Sequence, residues 1–456
     1  MPFQIFGGVL VARSLGPELF GHYSFAVTFS YFFACFAEGG LGILATRELA
    51  RHRDEPGPYL ASFIFLKFFL SVVFFSLMLL AAWFWQIKEE QWWVLLIVGL
   101  GNFLSSLCIL LVGIARAYER MKVEGLVNFS QAFFFVVLLF VLIVWGGRGD
   151  VEAVATCFMV SYLLTVLLGM ILLGRYFRQI GALDFYLTRT LSNEALTISI
   201  GWIVLLIYTR VGIIALEAKS SPEEVGYFNA ALRLALCIGI IPNILAGAFM
   251  PLLARSVTLD RQSYARGAFL LMKYLLIGGV LVTIPFGLTS DGLIELIYGE
   301  EFMAAAPSFA LLMVAMFFFF VSFGPKTFLE SSGRQGAWGV ATCAGLIVNV
   351  LVTLWLAPTL GATGASLGLL SANLLIALLS VRFCVGCVEW SGMVAGMVRV
   401  VFGIILMVLI SLPLMDFSWF LALVTASGTF LVYLLIIKEL RLNEIKKLIL
   451  GHPSEG

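Results

Sequence analysis

Charge is what this sequence has least of. Of its 456 residues, 12% are Asp, Glu, Lys or Arg and 61% are hydrophobic. A soluble surface carries about 25% charged residues, so this composition excludes a soluble protein and describes one embedded in a bilayer. The net charge of +1 excludes a nucleic-acid partner. Histidine is scarce, with His22 and His52 read in loops and His452 in the tail. No Ser-His-Asp set, acidic pair or nucleotide loop is present, which argues against an enzyme and against a cofactor. Of seven cysteines, Cys35, Cys108, Cys157, Cys237 and Cys343 lie in apolar runs, where cysteine behaves as a small hydrophobe. Cys384 and Cys387 form a lone C-x-x-C, and a zinc site needs a second such pair.

What is present is a succession of apolar runs. A helix crosses the hydrocarbon core in about 20 residues, and such spans fall at 20–46, 59–87, 91–115, 123–145, 151–173, 195–217, 226–254, 267–290, 304–329, 336–356, 362–381, 393–413 and 418–437. The opening "MPFQIFGGVLVA" is apolar but half as long and lacks a signal peptide's basic start. It reads as the end of a truncated first span, making about fourteen. Cytoplasmic loops carry excess Lys and Arg. With the chain starting inside, the even loops hold Arg47, Arg51, Arg53, Arg116, Arg120, Lys122, Arg175, Arg178, Arg189, Arg255, Arg261, Arg266, Arg334 and Arg382, and the tail adds Lys438, Arg441, Lys446 and Lys447. The odd loops hold Arg13, Lys88, Arg148 and Lys219. An asymmetry of 18 to 4 predicts both termini on the cytoplasmic side of a cytoplasmic (inner) membrane. No interval between spans has room for a soluble domain.

The chain also repeats itself. "PELFG" at Pro17–Gly21 returns as "PEEVG" at Pro222–Gly226, 205 residues later. Each precedes a helix closing on "LAR", at Leu49–Arg51 and Leu253–Arg255. "ASFIFLKFFL" then matches "GAFLLMKYLL", placing Lys67 over Lys273. Six spans separate the copies, an even number, so both share one orientation. The expectation is an all-α polytopic fold of two parallel six-helix lobes, residues 1–190 and 191–390, around a central cavity, with 391–456 carrying two further helices and the tail. Gly39-Gly40 and Pro242 fall midway along equivalent helices and predict a shared kink, a candidate hinge.

Charge inside a span costs at least about 2.5–3.5 kcal/mol. Glu38, Lys67, Arg210, Arg233 and Lys273 stand out. Arg210 and Arg233 lie about 10 Å deep from the same side at 1.5 Å per residue. Neither has an acidic neighbour in sequence, which points to an anionic ligand, most naturally a phosphate group; each could instead meet helix carbonyls or snorkel. Glu38 and Lys67, at matching depth, read either as a buried ion pair or as a protonatable site coupled to an ion gradient. Lys67 and Lys273 could equally snorkel.

Four long strings carry a family resemblance: "VARSLGPELFGHYSFAVTFSYFF" with "GLGILATRELAR", "EEVGYFNAALRLALCIGIIPNILAGAFMPLLAR", "IYGEEFMAAAPSFALLM" and "GLIVNVLVTLWLAPTLGATGAS". From residue 9 to about 385 the chain resembles the polysaccharide biosynthesis flippases of the MOP transporter superfamily. The resemblance implies two six-helix lobes and the flipping of polyprenyl-pyrophosphate-linked oligosaccharide to the outer leaflet, as in lipopolysaccharide synthesis. By motif match it carries pyrophosphate contact to Arg13 and Arg47 first, then Arg210 and Arg233. Many relatives have an acidic residue shortly after the helix-7 arginine, where this chain has Gly212. Other polysaccharide-assembly membrane proteins are implied partners.

Two other classes fit less well. A cation-coupled small-molecule antiporter of the same fold calls for cavity carboxylates, which are nearly absent. A membrane glycan polymerase or ligase calls for a large outer loop, which does not exist.

Overall fold

A computed structural model describes residues 2–146, 150–259, 261–384, 391–415 and 417–437. Cys387 and the basic tail lie outside these. The described chain is helical: α1 (Pro2–Glu38), α2 (Leu41–Arg51), α3 (Gly57–Phe84), α4 (Glu89–Ala117), α5 (Met121–Gly146), α6 (Val151–Phe177), α7 (Phe185–Lys219), α8 (Pro222–Ile238), α9 (Ile240–Leu259), α10 (Arg261–Leu288), α11 (Ser290–Tyr298), a 3-10 segment (Glu300–Ala305), α12 (Ala306–Ser331), α13 (Gln335–Cys384), α14 (Ser391–Met415) and α15 (Trp419–Ile436). Among the described residues, ten stretches are long and apolar enough to cross a membrane. Two of them, Phe3–Arg51 and Gln335–Cys384, each hold two spans of the sequence reading. α1 breaks at Gly16 (φ 73°) and α13 at Gly361 (φ 54°), a left-handed conformation that suits residues without a Cβ.

Both Pro-Glu-x-x-Gly words turn out to be helix starts. Sequence alone sets them in the connection before the helix; here helical geometry resumes at Pro17 after the Gly16 break, and α8 opens on Pro222. Proline suits a first helical position because its missing N–H has no partner to lose there. His22, read as a loop residue, accordingly lies inside α1.

The chain divides into two compact units, Met1–Gly226 and Tyr227–Gly456. In the first, α4 packs on α1, α2 and α6, α5 on α6 and α1, and α7 on α1 and α3. α2 shows why its face is chosen. Leu41, Leu44, Ala45, Glu48 and Leu49 recur at helical spacing and are buried, while Ile43 and Arg47 are exposed. Its buried leucines join Leu60 and Phe63 of α3 and Leu111 and Ile114 of α4 in one core. Small residues bring α2 and α4 into backbone contact at Gly42 and Gly113, and Thr46 Oγ1 donates to the Gly113 carbonyl at 3.1 Å. Apart from the buried Lys67, α3 is largely apolar, and Phe65, Phe68, Phe69, Trp83 and Phe84 are exposed, as suits a lipid-facing helix.

In the second unit α12 packs on α9, α10 and α13. α14 and α15 pack on each other and against α10, around Val280, Met407 and Phe430. Gly299 ends α11 at φ 96°, and the buried Phe302 that follows packs its ring at a tilt against Tyr298, centroids 5.3 Å apart.

The two midway breaks have different chemistry. Between α1 and α2 the chain turns at Gly39 (φ 50°) and Gly40 (φ 71°). Between α8 and α9 it turns at Gly239, and Pro242 lies in the first turn of α9. Pro242 has no N–H to offer the Ile238 carbonyl four residues back, so the ladder opens upstream of the proline rather than at it. Asn243 Nδ2 meets the freed segment by donating to the Gly239 carbonyl at 2.9 Å.

Candidate functional site

Two adjoining cavities lie in the first unit and share Ile43, Ser105, Ile109 and Arg116 as wall. One, of about 290 Å³, is lined by Tyr31, Cys35, Glu38, Asn102, Ser106 and Ser199. The other, of about 280 Å³, is lined by Gln4, Cys108, Asn128, Gln131, Tyr162 and Thr165. A third, of about 360 Å³, is formed by Glu18, His22, Lys88, Gln91, Asp150 and Glu152.

Glu38 is held by a hydrogen bond on one oxygen and an ion pair on the other. Oε1 accepts from the Gly42 N–H at 3.0 Å, capping α2 just after the Gly39–Gly40 break. Oε2 lies 3.6 Å from Lys67 Nζ, which also approaches the Ala37 carbonyl at 3.4 Å. Lys67 is 1% exposed and does not snorkel. The two form a buried ion pair, and Glu38 also faces the 290 Å³ cavity.

Arg47 is bound by carboxylates. It pairs with Glu194 of α7 and, through Nε, with Glu48 Oε1 at 2.6 Å. The buried Glu48 also receives Arg51 at 3.3 Å and His52 at 3.7 Å. Arg116 gives Nε and Nη2 to Glu124 Oε1 at 2.9 and 2.6 Å, and Arg53 reaches Glu119 at 2.6 Å. These pairs gather at the basic ends of α2, α4 and α5.

Arg210 of α7 is half-buried and within Coulombic range of Tyr31, which lines the 290 Å³ cavity. Arg13 is exposed on α1 and is not among the lining residues of the three cavities. In the second unit, Arg233 of α8 is half-buried, its carbonyl accepts from Cys237 Sγ at 3.1 Å, and it is within Coulombic range of Tyr298. Arg210 belongs to the first unit and Arg233 to the second. Lys273 is half-buried in α10.

Charge counting overlooked several residues. Lys326 of α12 lies 4.5 Å over the Phe323 ring and 4.0 Å from Glu330; its spacing from both was visible in "FGPKTFLE". The uncharged Asn102, Ser105, Asn128, Gln131 and Tyr162 line cavities. The signal for them is polar residues three apart inside apolar spans, as in Asn102/Ser105 and Asn128/Gln131.

A multi-pass helical chain with ion pairs at one end and polar cavities within a helical unit is a membrane protein of transporter architecture. Residues 1–257 match the polysaccharide biosynthesis protein family, and the chain belongs to that family. It is 23% identical over 388 residues to a putative O-antigen transporter of Escherichia coli (strain K12), covering 82% of this chain and 90% of that protein. Its fold is similar to that of the lipid II flippase MurJ in an inward closed conformation (TM-score 0.76, 14% identity, 96% of each chain). It is also similar to an inward-facing multidrug resistance MATE transporter of the MOP superfamily (TM-score 0.69, 16% identity, 87% of this chain and 94% of that one). The fold is thus that of the MOP superfamily.

Proposed function

We propose that this protein is a flippase carrying polyprenyl-pyrophosphate-linked oligosaccharide from the cytoplasmic to the outer leaflet by alternating access, for cell-surface polysaccharide. The observation that carries this reading is the family match over residues 1–257. The name of the E. coli relative, an O-antigen transporter, supports it. In this reading the lobes are residues 1–190 and 191–390. The pyrophosphate is the group that Arg13, Arg210 and Arg233 recognise, since guanidinium matches phosphate oxygens bidentately. Arg47 joins them on exchanging its Glu194 partner.

In a strain lacking its own O-antigen flippase, expression of this chain is expected to restore surface glycan. Arg210→Lys is expected to lower export about tenfold at equal protein level, because lysine lacks the planar fork. Undiminished export by both Arg210→Lys and Arg210→Ala would remove the pyrophosphate role.

Orientation is tested separately. We expect a cysteine at exposed Glu300 to react with an impermeant maleimide added outside, and one at exposed Glu55 to react only after permeabilisation. The opposite pattern inverts the topology.

One observation favours a second reading, a cation-coupled antiporter of small molecules: Glu38 faces a cavity. Export of cationic drugs without glycan transport would select it.

A further inference from the structure

Most asparagines within these helices are satisfied by their own protein. Asn102 Nδ2 donates to the Val27 carbonyl at 3.0 Å and to Ser30 Oγ at 2.7 Å. Asn243 and Asn373 each donate to a carbonyl one turn back, at 2.9 and 3.0 Å. This is the expected state in hydrocarbon, which offers a polar group nothing. Gln4 of α1 and Asn128 of α5, both exposed, and the half-buried Gln131 of α5 have no hydrogen bond among the described residues. All three line one cavity, the 280 Å³ space among α1, α2, α4, α5 and α6.

Their placement follows from helical spacing. Asn128 and Gln131 are three apart and share a face of α5. At 1.5 Å per residue they lie about 10 and 15 Å from its start at Met121, the end that carries the ion pairs. The remaining wall narrows the ligand chemistry. Arg116, the one charged lining residue, spends Nε and Nη2 on Glu124. No carboxylate lines the cavity to hold a cation. Ser105 and Tyr162 add hydroxyls to the wall. The three carboxamides each both donate and accept, and they share the cavity with apolar Ile43, Ile109 and Val127. A volume of about 280 Å³ equals about nine liquid waters, enough for a hexose ring.

We propose that this cavity binds a neutral sugar ring of the transported glycolipid, with Gln4, Asn128 and Gln131 as its hydrogen-bonding wall. Carboxamides match hydroxyls in both roles, and the apolar side receives the ring's C–H face. The proposal rests on the flippase reading and adds to it a carbohydrate subsite apart from the arginines.

The test uses the full chain in nanodiscs with two probes, polyprenyl-pyrophosphoryl-N-acetylglucosamine and unglycosylated polyprenyl pyrophosphate. The parent is expected to bind the glycosylated probe more tightly. Asn128→Leu with Gln131→Leu is expected to weaken that binding about tenfold, two lost hydrogen bonds, and to leave the bare carrier unchanged. Leucine on a lipid-embedded helix keeps the fold, which an unchanged melting temperature verifies; the single Gln131→Leu, at a smaller loss, serves if the double variant melts early. A parent with equal affinity for both probes, or a variant that keeps the parent's preference, overturns the sugar site. A parent that binds neither probe overturns the flippase reading, and the sugar site with it.

Discussion

Alanine at Gly21 or at Gly226 is expected to abolish most of the folded protein. The two glycines end the repeated Pro-Glu-x-x-Gly words, and the words lie against each other within the first unit. A Cβ on Gly21 would run into the Pro222 carbonyl, and a Cβ on Gly226 into the Pro17 carbonyl. The contact is reciprocal and is made by backbone on both sides, so no side chain can rotate away. Overpacking a core costs about 1–3 kcal/mol where side chains adjust; here a helix must move, and the cost is expected at or above the top of that range. Gly125 and Gly174 provide the control. Each has open space where a Cβ would stand, and glycine to alanine within a helix gains about 0.5–1 kcal/mol. Melting in detergent should therefore fall sharply for Gly21→Ala and Gly226→Ala and hold or rise for Gly125→Ala and Gly174→Ala. Equal melting temperatures across the four would show that the two words do not meet.

Breaking the Glu38–Lys67 pair from one side is expected to be nearly as damaging. Lys67 is buried, and its charge is answered by Glu38 at 3.6 Å and the Ala37 carbonyl at 3.4 Å. Glu38→Gln keeps an oxygen to cap Gly42 but leaves an ammonium in an apolar interior. Removing one partner of a buried pair typically costs about 3–5 kcal/mol, whereas replacing both with neutral groups is often harmless. Glu38→Gln and Lys67→Met are each expected to melt early, and the double variant near the parent. Glycan export separates the two roles considered for the pair. A structural pair predicts that the double variant, once folded, exports at the parental rate. A double variant that is stable but inactive would instead make Glu38 a coupling carboxylate.

The sequence by itself determined what depends on near neighbours and on the solvent. Apolar length placed the spans, because a helix must cross a fixed thickness of hydrocarbon. Gly39-Gly40 announced a break that the backbone makes with two left-handed residues. Pro242 announced another, displaced to Gly239 by the four-residue reach of the missing hydrogen bond. The repeat in Pro17–Gly21 and Pro222–Gly226 was legible as a word, and proline explains its place at a helix start. Only tertiary structure decided that the two words touch each other. It also decided that Arg47 faces Glu194, 147 residues away, so that a residue marked for phosphate is held by carboxylates. The wall of carboxamides around Gln4, Asn128 and Gln131 was hidden for a related reason. Hydrocarbon is as apolar as leucine, so hydropathy does not separate a helix face turned to lipid from one turned to protein. The rotation of each helix, and with it the company each polar side chain keeps, is set by packing between residues far apart in the chain.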